Sequence, residues 1–208
     1  MRTITITKNV YKYDELNAKA QERVREWYLA HCRTPELFSE MLDEDLEMIF
    51  GENDLDVEYS FSYSLGDGLN IYGSISLTQI LDAAEQCDWL TYFDAFRSCF
   101  TADEKALIKR YAEDYDTVNI PSNAIYLYNY CYADQIDYVY DYMTNVGQCA
   151  SGGLLNRVNA ALISLFSELC ASYEEWGYEF FYDVDDDTLS EVCEANGWEF
   201  TEDGELCM

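Results

Sequence analysis

The sequence is poor in the residues that commonly carry enzyme chemistry. It has one histidine, His31, and its eight cysteines are scattered with no C-x-x-C pair, so the usual ligands of a zinc site are missing. There is no P-loop, and Gly66-Asp67-Gly68 lacks the third glycine of a dinucleotide-binding fingerprint. Carboxylates are so abundant that no acid/base pair stands out. We therefore expect no enzymatic activity and no cofactor.

Long apolar segments are also missing. No run approaches the roughly 20 apolar residues that a membrane-spanning helix needs. The N-terminus alternates like a β-strand over residues 2–7 and does not resemble a signal peptide. Several cysteines fall inside helical or strand patterns, as small apolar residues do, which favours reduced thiols over a disulfide framework. These features predict a cytoplasmic protein.

Basic residues become scarce after residue 34. Residues 1–34 carry seven basic and four acidic residues, whereas residues 35–208 carry five basic and 37 acidic ones, and the whole chain has a net charge of -29. Disorder is not the reason, because disordered acidic chains are poor in apolar residues and 49% of this chain is hydrophobic. A halophilic protein would be acidic throughout. The asymmetry therefore favours an acidic face directed at a partner over a merely solvated surface.

The partner that such a face selects is cationic. The negative field repels nucleic acids and anionic membranes and attracts basic surfaces within about 8–10 Å at physiological salt. We expect a basic nucleic-acid-binding protein as partner, with no direct DNA binding and no membrane binding; a homodimer is left open. The candidate partner-binding residues are the carboxylates of the acidic runs: Asp43, Glu44, Asp45, Glu47, Asp56, Glu58, Glu174, Glu175, Asp183, Asp185, Asp186 and Asp187.

The hydrophobic pattern predicts one acidic α+β domain over residues 1–208. Its sheet is small and antiparallel, with a central hairpin at about 55–77 that turns at Gly66-Asp67-Gly68 and packs against several helices. Residues 116–132 read as a tyrosine-rich strand. The helices are expected at the following places: from a cap at Asp14 to about His31; from Thr34-Pro35 to Gly51; at 102–113 after a Thr101/Glu104 capping box; from about Leu154 to Trp176; and near 188–195.

Two local features have alternative interpretations. The first helix carries the basic residues Lys19, Arg23 and Arg25, which would contact RNA or an acidic partner, or pair with the protein's own acidic face. The segment containing Asp183, Asp185, Asp187 and Glu194 matches positions 1, 3, 5 and 12 of an EF-hand loop, but Thr188 replaces the glycine at position 6. Capping of a short helix is the favoured interpretation, and a calcium-binding or hydrolytic carboxylate–metal protein is an alternative function.

Two stretches resemble a group of small acidic phage and prophage proteins. Tyr11-Lys12-Tyr13-Asp14-Glu15-Leu16 is similar to the opening of these proteins, and Glu199-Phe200-Thr201-Glu202-Asp203-Gly204 is similar to their ending. Gly66-Asp67-Gly68 fits their usual middle.

The resemblance implies a phage-encoded inhibitor of a host defence nuclease, acting in the cytoplasm of a bacterial cell. An anti-CRISPR or antirestriction protein is expected, with Cas9 and its guide RNA as the leading target. Cas9-type effectors have PAM-reading arginines and a positive channel that carboxylates could occupy in place of phosphates. Some members of the group are labelled antitoxin-like, so neutralisation of a toxin is the alternative.

Overall fold

The computed structural model describes residues 9–63, 67–112, 117–120 and 152–207. The predicted strand at 2–7, the turn residue Gly66 and the tyrosine-rich stretch beyond Ile120 lie outside these ranges. Within them the chain forms seven α-helices, namely α1 (Ala18–His31), α2 (Pro35–Phe50), α3 (Leu77–Gln86), α4 (Phe93–Ser98), α5 (Ala102–Ala112), α6 (Gly152–Tyr182) and α7 (Asp186–Ala195). The strands are β1 (Asp54–Ser60), β2 (Gly68–Ser76), β3 (Thr117–Ile120), β4 (Glu199–Phe200) and β5 (Leu206–Cys207).

The chain divides into two compact units. The terminal unit contains Met1–Phe38 and Gly177–Met208, and the central unit contains Ser39–Trp176. The α+β class predicted from the sequence is confirmed, whereas the single domain over 1–208 stays a prediction. None of the helices in the described ranges is long and apolar enough to cross a membrane.

The terminal unit is built from α1, α7 and the β4–β5 ribbon. Its core centres on four buried side chains: Val24, Tyr28, Leu189 and Phe200. The predicted cap at Asp14 is wrong. Tyr13–Glu15 form a separate 3-10 turn, and Leu16 is extended, which interrupts the helical hydrogen bonds. Asn17 caps α1 instead, because its side-chain oxygen accepts hydrogen bonds from the N–H groups of the first turn.

The central unit contains the predicted hairpin. Strands β1 and β2 are antiparallel, with a register from Asp54↔Ser74 to Ser60↔Gly68. Strand β3 pairs with the other side of β2, so the order is β1-β2-β3. The hairpin packs against α2, α3 and α6, as the alternating pattern predicted.

Local signals set the helix ends that flank this sheet. Pro35 takes the first position of α2, the Thr34 hydroxyl accepts a hydrogen bond from the Leu37 N–H at 3.3 Å, and Gly51 ends the helix with φ 73°. The capping box before α5 also forms, with the Thr101 N–H donating to the Glu104 carboxylate at 2.9 Å. Helix α6 ends at Tyr182, beyond the predicted end at Trp176.

Candidate acidic interface

The central unit contains a long part of the chain with no basic residue. Between Arg33 and Arg97 there is no lysine or arginine, while 15 aspartates and glutamates occur. All of α2 and all of β1 fall in this interval. Their carboxylates therefore have no cation close by in sequence.

A cleft of about 290 Å³ collects four of these carboxylates, from α2, β1 and the connection between them. Its lining consists of Asp43, Leu46, Glu47, Glu52, Asn53, Leu55 and Asp56. Asp43 and Glu47 are four residues apart, so they lie on the same face of α2. Leu46 and Leu55 are buried and give the cleft an apolar floor.

Asn53 organises the connection that brings α2 and β1 together. Its side-chain nitrogen donates to the Gly51 carbonyl at 2.7 Å, and its side-chain oxygen accepts from the Leu55 N–H at 3.0 Å. The chain therefore turns sharply after the helix stop, and β1 begins beside α2. This local geometry places Asp56 near Asp43.

The electrostatic effect of this convergence is seen at Asp43, although all four carboxylate residues of the cleft are exposed. Partial burial raises the pKa of the Asp43 carboxyl above its usual value, and the nearby Asp56 carboxylate raises it further. Both effects disfavour the charged form of Asp43. A cation entering the cleft would relieve the repulsion.

The exposed face of β1 extends this negative surface. Asp54, Asp56 and Glu58 alternate with inward-facing residues and are all exposed. Side chains two residues apart on a strand are spaced by about 6.8 Å, so they form an evenly spaced row. The sequence prediction included Asp56 and Glu58 but missed Asp54 and Glu52. The same strand alternation would have identified Asp54, whereas only the folded connection places Glu52 at the cleft.

Asp45 faces away from this surface. It is half-buried and accepts a hydrogen bond of 2.6 Å from the hydroxyl of Tyr173, which is 4% exposed. Burial, and then Asp45, raise the pKa of the Tyr173 hydroxyl and of the Tyr92 hydroxyl above the usual range. Neighbouring Glu44 is exposed. Consecutive positions of one helix thus have different roles, because each residue turns the side-chain direction by about 100°.

The two α6 candidates lie apart from the cleft. Glu174 is half-buried, Glu175 is exposed, and neither lines the cleft. Of the eight acidic candidates in the central unit, the fold brings three together in the cleft, namely Asp43, Glu47 and Asp56. Glu58 continues the row on β1.

The remaining candidates belong to the terminal unit, where two of them have structural roles. Asp185 caps α7, accepting from the N–H and the hydroxyl of Thr188 at 2.7 Å each, and the backbone hydrogen bond is the main reason that the pKa of Asp185 is lowered. Asp186 accepts from the Tyr13 hydroxyl at 2.7 Å and from Arg25 at 2.5 Å. Asp183 and Asp187 are exposed.

One of the three basic residues of α1, Arg25, pairs with the acidic segment of its own unit. Arg25 binds Asp186 and also donates to the Val184 carbonyl at 3.2 Å, and Arg23 donates to the Asp203 carbonyl at 3.2 Å. Internal pairing is confirmed for Arg25, whereas contact of this cluster with RNA or an acidic partner stays a prediction.

The arrangement of Asp183–Glu194 does not form a calcium loop. Helix α7 begins at Asp186, inside the twelve-residue segment, so Asp185 points at the helix N-terminus. In the described part of the chain, no three or more histidine, cysteine or acidic side chains converge in a way that could hold a metal ion. Helix capping, the favoured interpretation of this segment, is confirmed.

No protein-family model, curated protein or solved structure matches this chain.

Proposed function

We propose that the protein is an inhibitor that covers a basic nucleic-acid-binding surface of another protein with the carboxylates of its central unit. The observation that carries this proposal is the convergence of Asp43, Glu47, Glu52 and Asp56 on one cleft, beside the acidic row of β1. On the strength of the resemblance described above, the intended target is a host defence nuclease of the Cas9 type, and the protein is phage-encoded.

The physical basis is substitution of carboxylates for phosphates. Opposite unit charges 4 Å apart attract by about 1 kcal/mol in bulk water and by about 4 kcal/mol at the effective dielectric near a protein surface. The cleft places four exposed carboxylates around one opening, so a guanidinium or ammonium group that enters it meets several of them at once. Several such contacts made at once would compete with DNA for the same arginines and lysines.

The cleft and the β1 row act together in this proposal. The cleft takes one cationic side chain, and the row contacts others on the same partner. The exposed side chains Met48 and Tyr63, 67% and 73% accessible, add apolar contact area in the same unit. Large exposed side chains of this kind commonly contribute to protein interfaces.

The test is binding to Cas9 loaded with guide RNA, measured by biolayer interferometry over a series of salt concentrations and together with a DNA-cleavage assay. The cleft variant is Asp43→Asn/Glu47→Gln/Glu52→Gln/Asp56→Asn. The control variant neutralises four exposed carboxylates of the terminal unit instead: Asp183→Asn/Asp187→Asn/Glu191→Gln/Glu202→Gln. Both variants change the net charge by the same amount.

We expect the unmodified protein to compete with target DNA and to lose affinity steeply as salt rises. The cleft variant should lose at least about tenfold in affinity, equal to about 1.4 kcal/mol, while the control loses less. An affinity that does not depend on salt, or equal losses for the two variants, would refute the proposal. Binding to a basic toxin without DNA competition would favour the antitoxin-like alternative instead.

A further inference from the structure

Strand β1 is an edge of the described sheet. It pairs with β2 on one side, and none of the described residues pairs with its other side. The acidic cleft adjoins the same strand, since α2, β1 and their connection line it and no residue of β2 does. An open edge with a neighbouring groove is the geometry that accepts an added strand.

The hydrogen-bond pattern shows which backbone groups face outward. The Leu55 N–H donates to Asn53 and therefore does not point at β2. Alternate residues of an antiparallel strand point the same way, so Val57 also directs its N–H and C=O away from β2. In the register of the hairpin Val57 stands opposite Ile71, and this orientation leaves its N–H and C=O on the open side of β1.

We propose that β1 binds an extended basic segment of the partner as an additional strand. This inference rests on the proposed function and specifies its contact. The added strand would exchange backbone hydrogen bonds with Val57. Its lysine or arginine side chains, at alternate positions, would lie opposite Asp54, Asp56 and Glu58.

The charge of β1 selects the occupant. A second copy of this chain would place the same carboxylates against each other, and like charges directly across strands are destabilising. Charged side chains also protect edge strands from unspecific pairing. The acidic row therefore excludes self-association through β1 and admits a basic strand.

The first test uses two acetylated and amidated eight-residue peptides with ¹⁵N-labelled protein. One peptide alternates lysine and valine, and the other has four lysines followed by four valines. We expect the alternating peptide to bind more tightly. At 90% saturation it should slow hydrogen exchange of the Val57 amide about tenfold, because only the free fraction exchanges.

Three further changes, two to the backbone and one to the charge, separate backbone pairing from charge. Val57→Pro removes the outward N–H without removing a bond to β2, a position that edge strands tolerate, and should weaken the alternating peptide at least about tenfold. N-methylation of the alternating peptide at alternate residues should weaken its binding by a similar factor without any change in the protein. Asp54→Asn/Glu58→Gln should weaken binding while leaving the cleft carboxylates intact.

The possible outcomes distinguish this inference from the proposed function. Equal binding of both peptides, an unprotected Val57 amide and no effect of N-methylation would overturn strand addition, while salt-dependent binding of a basic protein would leave the proposed function standing. Loss of binding to every basic protein and peptide would overturn both.

Discussion

Asp45 and Glu44 provide a test of whether the role of a carboxylate in this protein depends on where its side chain points. They are consecutive residues of α2, yet only Asp45 accepts a hydrogen bond from the buried Tyr173 hydroxyl, at 2.6 Å. We expect Asp45→Ala to destabilise the protein and Glu44→Ala, which removes an exposed side chain, to change the free energy of unfolding by less than about 0.5 kcal/mol.

The size of the destabilisation expected for Asp45→Ala follows from the burial of Tyr173, which is 4% exposed. A hydrogen bond to a charged group contributes about 1.5–3 kcal/mol to the free energy of unfolding, and a buried hydroxyl left without an acceptor costs about 1–3 kcal/mol. For chains of 150–250 residues, 1 kcal/mol shifts the melting temperature by about 2–4 °C. Asp45→Ala should therefore lower the melting temperature by about 3–12 °C.

The assay is thermal and urea unfolding of Asp45→Ala, Tyr173→Phe and the double variant. The two single changes remove the same interaction, so the cycle should show a coupling free energy of about 1–3 kcal/mol. Well below the melting temperature, Asp45→Ala should bind the basic partner as the unmodified protein does. Additive effects, or a cost for Asp45→Ala no larger than that for Glu44→Ala, would refute the structural role given to Asp45.

Two further predictions concern strain in the central unit. Asp43→Asn should raise the melting temperature at pH 7 by about 1–4 °C, since solvent screening limits the relieved repulsion to about 0.5–1 kcal/mol. The folded-state pKa of Asp43 is raised, so the penalty of its charge exists above that pKa and should vanish near pH 3. A difference in melting temperature that persists near pH 3 would contradict this explanation. Gly73→Ala should lower the free energy of unfolding, measured in urea, by more than Gly197→Ala does. Both glycines have positive φ, but a Cβ at Gly73 would lie 2.1 Å from the Asp54 carbonyl oxygen, whereas a Cβ at Gly197 meets nothing within 4 Å. Equal losses for the two variants would contradict this prediction. The strained conformation alone costs about 1–3 kcal/mol.

Much of the fold was predictable because its signals are local. The alternation across β1 and β2, the start of α2 at Pro35 and the Thr101/Glu104 capping box each involve residues a few positions apart. The hydrogen bonds that these signals form do not depend on the path of the rest of the chain. The wrong prediction concerned the start of α1, where the preceding turn holds Tyr13, which is buried and bonded to Asp186, 173 positions away, a contact that local signals do not predict.

The sequence by itself determined the net negative charge of the protein, the concentration of basic residues in its N-terminal segment and the alternation that exposes one face of β1. Only the tertiary structure decided which carboxylates are available. It turned Asp45 toward Tyr173, paired Asp186 with Arg25, and assembled the cleft from α2, its connection and β1. A carboxylate's surroundings depend on residues far away in the chain, and composition carries no information about which of them become neighbours.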